Sequence, residues 1–199
     1  MIKLLAPTIE HMGIVLMAMS IAIAISVIIG IIAYWNRYIG SPILWVSDII
    51  QTIPSLALIT IMMILMGLGN KAMIAALVLY AIFPIARNTV TGLNEVSSAI
   101  RDAAKGMGMS KAQRLLKVEL PLAFPMIFSG IKIALVTSLS IAVMGVLIGA
   151  GGLGYPIYRG IQTQNTGMII GATIPVVVMA IVFDFIMSKI EKRLIKRAG

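Results

Sequence analysis

The chain has 199 residues, 60% of them hydrophobic and only 12% charged, whereas an ordinary soluble domain carries about a quarter charged residues. Too little polar surface remains to cover a water-facing fold, so the composition places the chain in the membrane class. Cysteine is absent, which excludes disulfides, thiolate metal sites and cysteine nucleophiles; the net charge of +9 sits beside apolar runs without interleaved aromatics and reads as membrane-orienting charge, not as a nucleic-acid surface.

A crossing helix needs about 20 apolar residues, and five segments supply them. The first is 12–34. Lys3 ahead of an apolar run resembles a secretory leader, but the run outlasts the roughly 7–15 residues of a leader core and reads as a retained span. His11, the single histidine, stands at its edge and is expected to be interfacial. The second span, 43–67, carries Asp48, Gln51, Thr52 and Ser55 on one broad face. Such groups either border a solute path or hydrogen-bond between helices. The third span, 72–90, is entered past Asn70 and Lys71 and holds Arg87. Pro54, Pro84 and Pro175 lie inside spans; each removes a backbone bond and is expected to bend its helix.

The stretch 91–121 is long for a loop in a compact membrane protein and has helical patterning of its own. Asn94 is placed to cap a helix over Glu95–Lys105, which Gly106, Met107 and Gly108 then break. Ser110 with Gln113 forms a capping-box pattern ahead of Leu115 and Leu116, and this second helix is expected to stop before Pro121. Ala104 and Gly108, four apart, would form a smooth patch flanked by Arg101 and Lys105. The residues themselves leave two readings open: docking into a partner's groove, or an amphipathic helix on anionic lipid.

The fourth span is 122–148 and the fifth 168–188. Between them Gly149-Ala150-Gly151-Gly152-Leu153-Gly154 satisfies a dinucleotide pattern. It follows a membrane-length run and precedes Tyr155-Pro156, so it reads as an external hinge with no helix after it. Gly145 with Gly149 and Gly167 with Gly171 allow close helix approach, inside the bundle or between subunits. Asp184 is expected to pair with Lys132 or Arg87.

The expected fold is thus an all-α bundle of five transmembrane helices with a helical loop between the third and fourth. Thirteen of the 16 basic residues, from Arg37 and Arg87 through the 91–121 loop to Lys189–Arg197, fall on one side; Lys3, Lys71 and Arg159 fall on the other. The bias puts that loop and the C-terminus in the cytoplasm and the N-terminus outside. No phosphate-cradling G-x-x-x-x-G-K-[ST] occurs, so ATP would bind elsewhere. A secondary transporter would favour inverted repeats and a channel a filter or charged ring; neither is visible, and the hydroxyls lack a histidine partner for hydrolysis.

Asp102-Ala103-Ala104, three residues, Gly108, nine residues, Val118-Glu119-Leu120-Pro121 resembles the EAA loop of binding-protein-dependent ABC importer permeases, with Asp102 in place of Glu and Val118 in place of Ile. The stretches Ser47–Leu58, Pro84–Thr89 and Gly149–Gly154 resemble the osmoprotectant branch, which imports glycine betaine, carnitine or choline. The resemblance implies one permease domain over 1–199 in a bacterial cell membrane, and no reaction or cofactor on this chain. It implies a coupling helix in which Asp102, Ala103, Ala104 and Gly108, flanked by Arg101 and Lys105, seat on an ATPase that holds ATP and Mg. The partners it implies are two ATPases, a second permease copy or sister, and an extracellular or lipid-anchored solute-binding protein. A related branch carrying an amino acid or similar zwitterion is the alternative. Few aromatics occur away from span ends, so solute selectivity is expected to lie on the binding protein.

Overall fold

The computed structural model describes residues 4–198, without the side chains of Arg37, Arg197 and Ala198; Lys3, counted above among the orienting charges, lies outside the described residues. Every regular element among the described residues is helical. In chain order they are α1 (Leu5–Trp35), α2 (Arg37–Thr52), α3 (Ser55–Met66), α4 (Asn70–Glu95), α5 (Ser98–Gly106), α6 (Lys111–Arg114), a π turn (Leu115–Glu119), α7 (Leu120–Ala142), a 3₁₀ turn (Val143–Ile148), α8 (Gly154–Gln162) and α9 (Thr166–Ala198).

Four of these runs are long and apolar enough to cross a membrane: α1, α4, the continuous stretch Lys111–Ile148, and α9. The expected second span is two helices. Residues 38–52 and 55–66 meet at 105°, because Pro54 lacks an N–H and Ile53 turns extended (φ −67°, ψ 126°). Pro54 was expected to bend one helix; it ends one and starts another.

Helices α1, α4 and α7 form the centre. Their facing stripes are mostly small or unbranched: Ala18 and Ala22 from α1, Met73, Ala76 and Leu77 from α4, Leu139 and Ala142 from α7, all buried. In a bilayer lipid tails are as apolar as leucine, so association rests on close packing and hydrogen bonds. Close approach is built in: a Cβ on Gly30 would lie 2.5 Å from that of Thr89, and one on Gly130 2.6 Å from the Pro84 carbonyl oxygen. Span hydroxyls bond back to their own helix, as Thr89 and Thr137 do to the carbonyls of Ile85 and Ile133, which keeps them from being orphaned in hydrocarbon.

Helix α9 packs on α7 and α8, yet only 11% of its apolar window is buried within the chain. Ile174, Val178, Ile181 and Phe185 face outwards, towards lipid or another chain. The Gly167 and Gly171 pair lies on this open helix: no other helix comes close enough to crowd a Cβ there.

Candidate functional site: the helical hairpin and the proline-broken crossing

Residues 96–114 form a helical hairpin, built differently from the sequence expectation. α4 runs on through Asn94 and Glu95, so Asn94 caps nothing; α5 starts after Ser97. α5 ends in a Schellman closure. The Met109 N–H donates to the Ala104 carbonyl at 3.2 Å and the Gly108 N–H to the Lys105 carbonyl at 2.9 Å. Gly108 holds φ +81°, a conformation that favours glycine. This ending corrects the smooth-patch reading. The helix stops at Gly106, Ala104 is buried, and Asp102, Ala103, Lys105, Gly106 and Met107 form the exposed face. Ser110 and Gln113 make a reciprocal capping box at 3.3 and 2.9 Å.

Beyond it the chain does not stop at Pro121. The Leu120 N–H donates to the Leu115 carbonyl, five residues back. The π turn adds its extra residue just before the proline, whose missing N–H falls where the ladder changes register. The same turn points Glu119 inward, 1% exposed, with its Oε1 2.6 Å from Arg114 Nε. Arg101 also turns inward, which corrects its expected place beside a partner's groove. One guanidinium nitrogen donates to the carbonyls of Leu93, Asn94 and Val96 at 2.9, 3.0 and 2.7 Å. These are the orphan acceptors at the end of α4. The guanidinium lies 5.8 Å from the Tyr34 ring centroid.

At the break between α2 and α3, Pro84 on α4 leaves the Tyr80 carbonyl without its helical donor. Gln51 Nε2 donates to that carbonyl at 2.7 Å, and the Tyr80 hydroxyl donates to the Ile53 carbonyl at the break. The four path candidates therefore do not share one face. Gln51 staples α2 to α4, Thr52 bonds back to Ile49 at 2.7 Å, and Ser55 begins another helix, 3.6 Å from Met144 Sδ. Asp48 is half-buried on α2. A groove of about 330 Å³ opens beside the staple, lined in part by Gln51, Phe83, Arg87, Asn88 and Thr137. Lys132 Nζ lies 3.5 Å from Asp184 and 3.4 Å from Glu191. Arg87, the other expected partner of Asp184, sits over the Phe83 ring instead, 6.0 Å from its centroid.

The family model for the binding-protein-dependent transport system inner membrane component matches residues 12–197. The chain belongs to this family. Among its relatives, the carnitine transport permease protein OpuCD of Listeria monocytogenes is 38% identical over 174 residues, covering 87% of this chain and 78% of that protein. The glycine betaine/carnitine/choline transport system permease protein OpuCD of Bacillus subtilis is 40% identical over 174 residues, covering 87% and 76%. The fold is that of a solved chain of the MetNI methionine ABC transporter in inward facing conformations (TM-score 0.87, 23% identity, 98% of this chain and 97% of that one). The chain is a multi-pass membrane permease component, not an enzyme.

The permease carries a second polar cluster, at the opposite end from the hairpin, that the sequence reading missed. Glu10 Oε2 accepts from the Gly152 N–H at 3.1 Å, and its Oε1 from Asn70 Nδ2 at 3.3 Å. Asn70 Oδ1 in turn accepts from the Gly151 N–H at 2.8 Å. His11 is fully buried, with Nε2 3.1 Å from the Leu139 carbonyl oxygen; it packs within the bundle near the start of α1. The glycine segment is followed by α8, so Tyr155-Pro156 opens a helix where none was expected. Pro156 sits in its first turn, where a missing N–H is harmless. The one legible signal was Glu10 itself, an acid within an apolar run.

Proposed function

We propose that this chain is the membrane-spanning subunit of an ATP-driven importer for a small compatible solute, glycine betaine, carnitine or choline, with five crossings in one domain over 1–199. The carrying observation is the hairpin: a nine-residue helix, closed by Gly108 in the left-handed region, presenting Asp102, Ala103 and Met107 at the end of two long helices. A short, flat, rigidly closed helix is the shape that seats in a groove of another protein. In this reading α5 is the coupling helix, docked on an ATPase that holds ATP and Mg while this chain holds neither. The broken pair α2–α3 counts as one crossing. The hairpin and C-terminus are cytoplasmic and the N-terminus external, as the basic residues argue, in a bacterial cell membrane.

A second copy or sister permease completes the path, bordered by Asp48, Gln51, Thr52 and Ser55, and by Arg87 across the groove. An extracellular or lipid-anchored binding protein delivers solute to the Glu10 end, and lipid covers the open face of α9. The likeness of the fold to a methionine transporter supports a second reading, the same machine carrying an amino acid.

The test is reconstitution in proteoliposomes with the ATPase and binding protein. The unmodified chain should import labelled solute with ATP hydrolysis stimulated by loaded binding protein. Ala103→Glu should abolish the stimulation while leaving the spans inserted. Ala103 is the better probe than Ala104, whose burial confounds docking with folding. Unchanged stimulation in Ala103→Glu would sink the docking role.

A further inference from the structure

The hairpin has little to hold it. α5 is too short to be stable alone, and both its connections, 96–97 and 107–110, are non-helical. Of its side chains only Ala104 is buried. What remains is Arg101, reaching back to three carbonyls at the end of α4. On the other side of the hairpin, α6 leads into the π turn, where Arg114 closes on Glu119 at 2.6 Å. Arg101 also lies over the ring of Tyr34, at the end of α1. Beneath them lies a small core of Leu93, Leu115, Ala123 and Ile127, separate from the main one. Four elements thus meet at one charged node: α1, the end of α4, α5, and the π turn that opens α7.

A buried carboxylate with a single guanidinium partner is a poor device for stability, since well-packed apolar residues would serve as well. It is a good device for fixing orientation. The pair is a single short charge-assisted bond, Arg114 Nε to Glu119 Oε1, and losing it leaves a buried charge unanswered. Arg101 adds the same property: three carbonyls within reach of one planar group fix the angle between α5 and α4. A force on α5 would otherwise be taken up at its two non-helical connections.

We propose that Glu119, Arg114 and Arg101 are positioning residues that make the hairpin move as one piece with α4 and α7, so that displacement of α5 reaches the crossings. This rests on the reading of α5 as the coupling helix. None of the three need touch the ATPase.

The experiment uses the complete transporter in proteoliposomes and reads solute imported per ATP hydrolysed, beside co-purification of the ATPase. Glu119→Gln and Arg101→Lys should each keep the ATPase bound and hydrolysing but lower the ratio by about fivefold. Glu119→Gln/Arg114→Gln should be no worse than either single change, because both act on one pair. Tyr34→Leu, which removes the ring beneath Arg101, probes the node should Glu119→Gln fail to accumulate. An unchanged ratio in Arg101→Lys and Tyr34→Leu overturns the proposal. So does uptake that falls in strict proportion to hydrolysis, the mark of poor assembly alone. If the unmodified chain neither recruits an ATPase nor imports solute, the coupling reading itself falls; if it does both and the variants keep its ratio, only the joint falls.

Discussion

The two ends of the bundle each hold a glutamate, and they hold it by different means. At the hairpin, Glu119 is buried and meets the Arg114 guanidinium, five residues earlier in the same helical run. At the opposite end, Glu10 meets one backbone donor, the Gly152 N–H, and the side-chain amide of Asn70. There the spacing is set by the lack of side chains, since a Cβ on Gly151 would lie 1.9 Å from Glu10 Oε1. A joint made of long charged side chains keeps its orientation while its elements shift together. A joint made of glycine contacts has no such slack. On the proposed coupling role, the hairpin is the moving part and the glycine segment the fixed frame.

The comparison breaks most sharply at Gly154. A Cβ there would stand 2.0 Å from the Val143 carbonyl oxygen, a backbone atom that cannot swing away. Gly154→Ala should cost about 3 kcal/mol or more, read as a large drop in the thermal midpoint of the purified permease. If it is silent, the glycine segment yields more easily than the packing implies, and the contrast between the two ends is lost.

A smaller effect sharpens it. The clash at Gly151 is with the far end of a flexible side chain, so Gly151→Ala should displace the Glu10 carboxylate and leave the backbone in place. Glu10→Gln should cost about 1 kcal/mol, the loss of a charge-assisted bond to a partly exposed group. Gly151→Ala should match it, and the double variant should add little, because both changes remove one interaction. Full additivity in thermal shift would show that the two residues act separately.

These contrasts explain what was readable in the sequence. Four long apolar helices rest on composition, and the Ser110–Gln113 box rests on residues three apart, so both were legible. The α5 ending was half legible: glycine at 108 announces a break, but the burial of Ala104 depends on how the helix meets the bundle. The rest depends on distant partners. The inward turn of Arg101 requires the carbonyls of α4 and the ring of Tyr34. The break at Pro54 is held open by Tyr80 and Gln51, which no local pattern couples. The π turn absorbs Pro121 only because Leu120 reaches back to Leu115. His11 is buried because Leu139 offers it a carbonyl, 128 positions along the chain.

The weakest expected effect lies in the Lys132 cluster. Asp184 is 55% exposed and Glu191 19%, while their distances to Lys132 are nearly equal, so burial decides between them. Exposed pairs contribute about 0–1 kcal/mol in water, and the more sheltered carboxylate has fewer alternative partners. Glu191→Gln should therefore lower the thermal midpoint more than Asp184→Asn, and each should lose its effect when Lys132 is already Gln. The reverse order would mean that Asp184 is shielded by lipid or by a neighbouring chain on the open face of α9. In that case the exposed row of Ile174, Val178 and Ile181 would belong to a protein contact, and the contrast between a rigid frame and a moving hairpin would need redrawing with α9 as part of the frame.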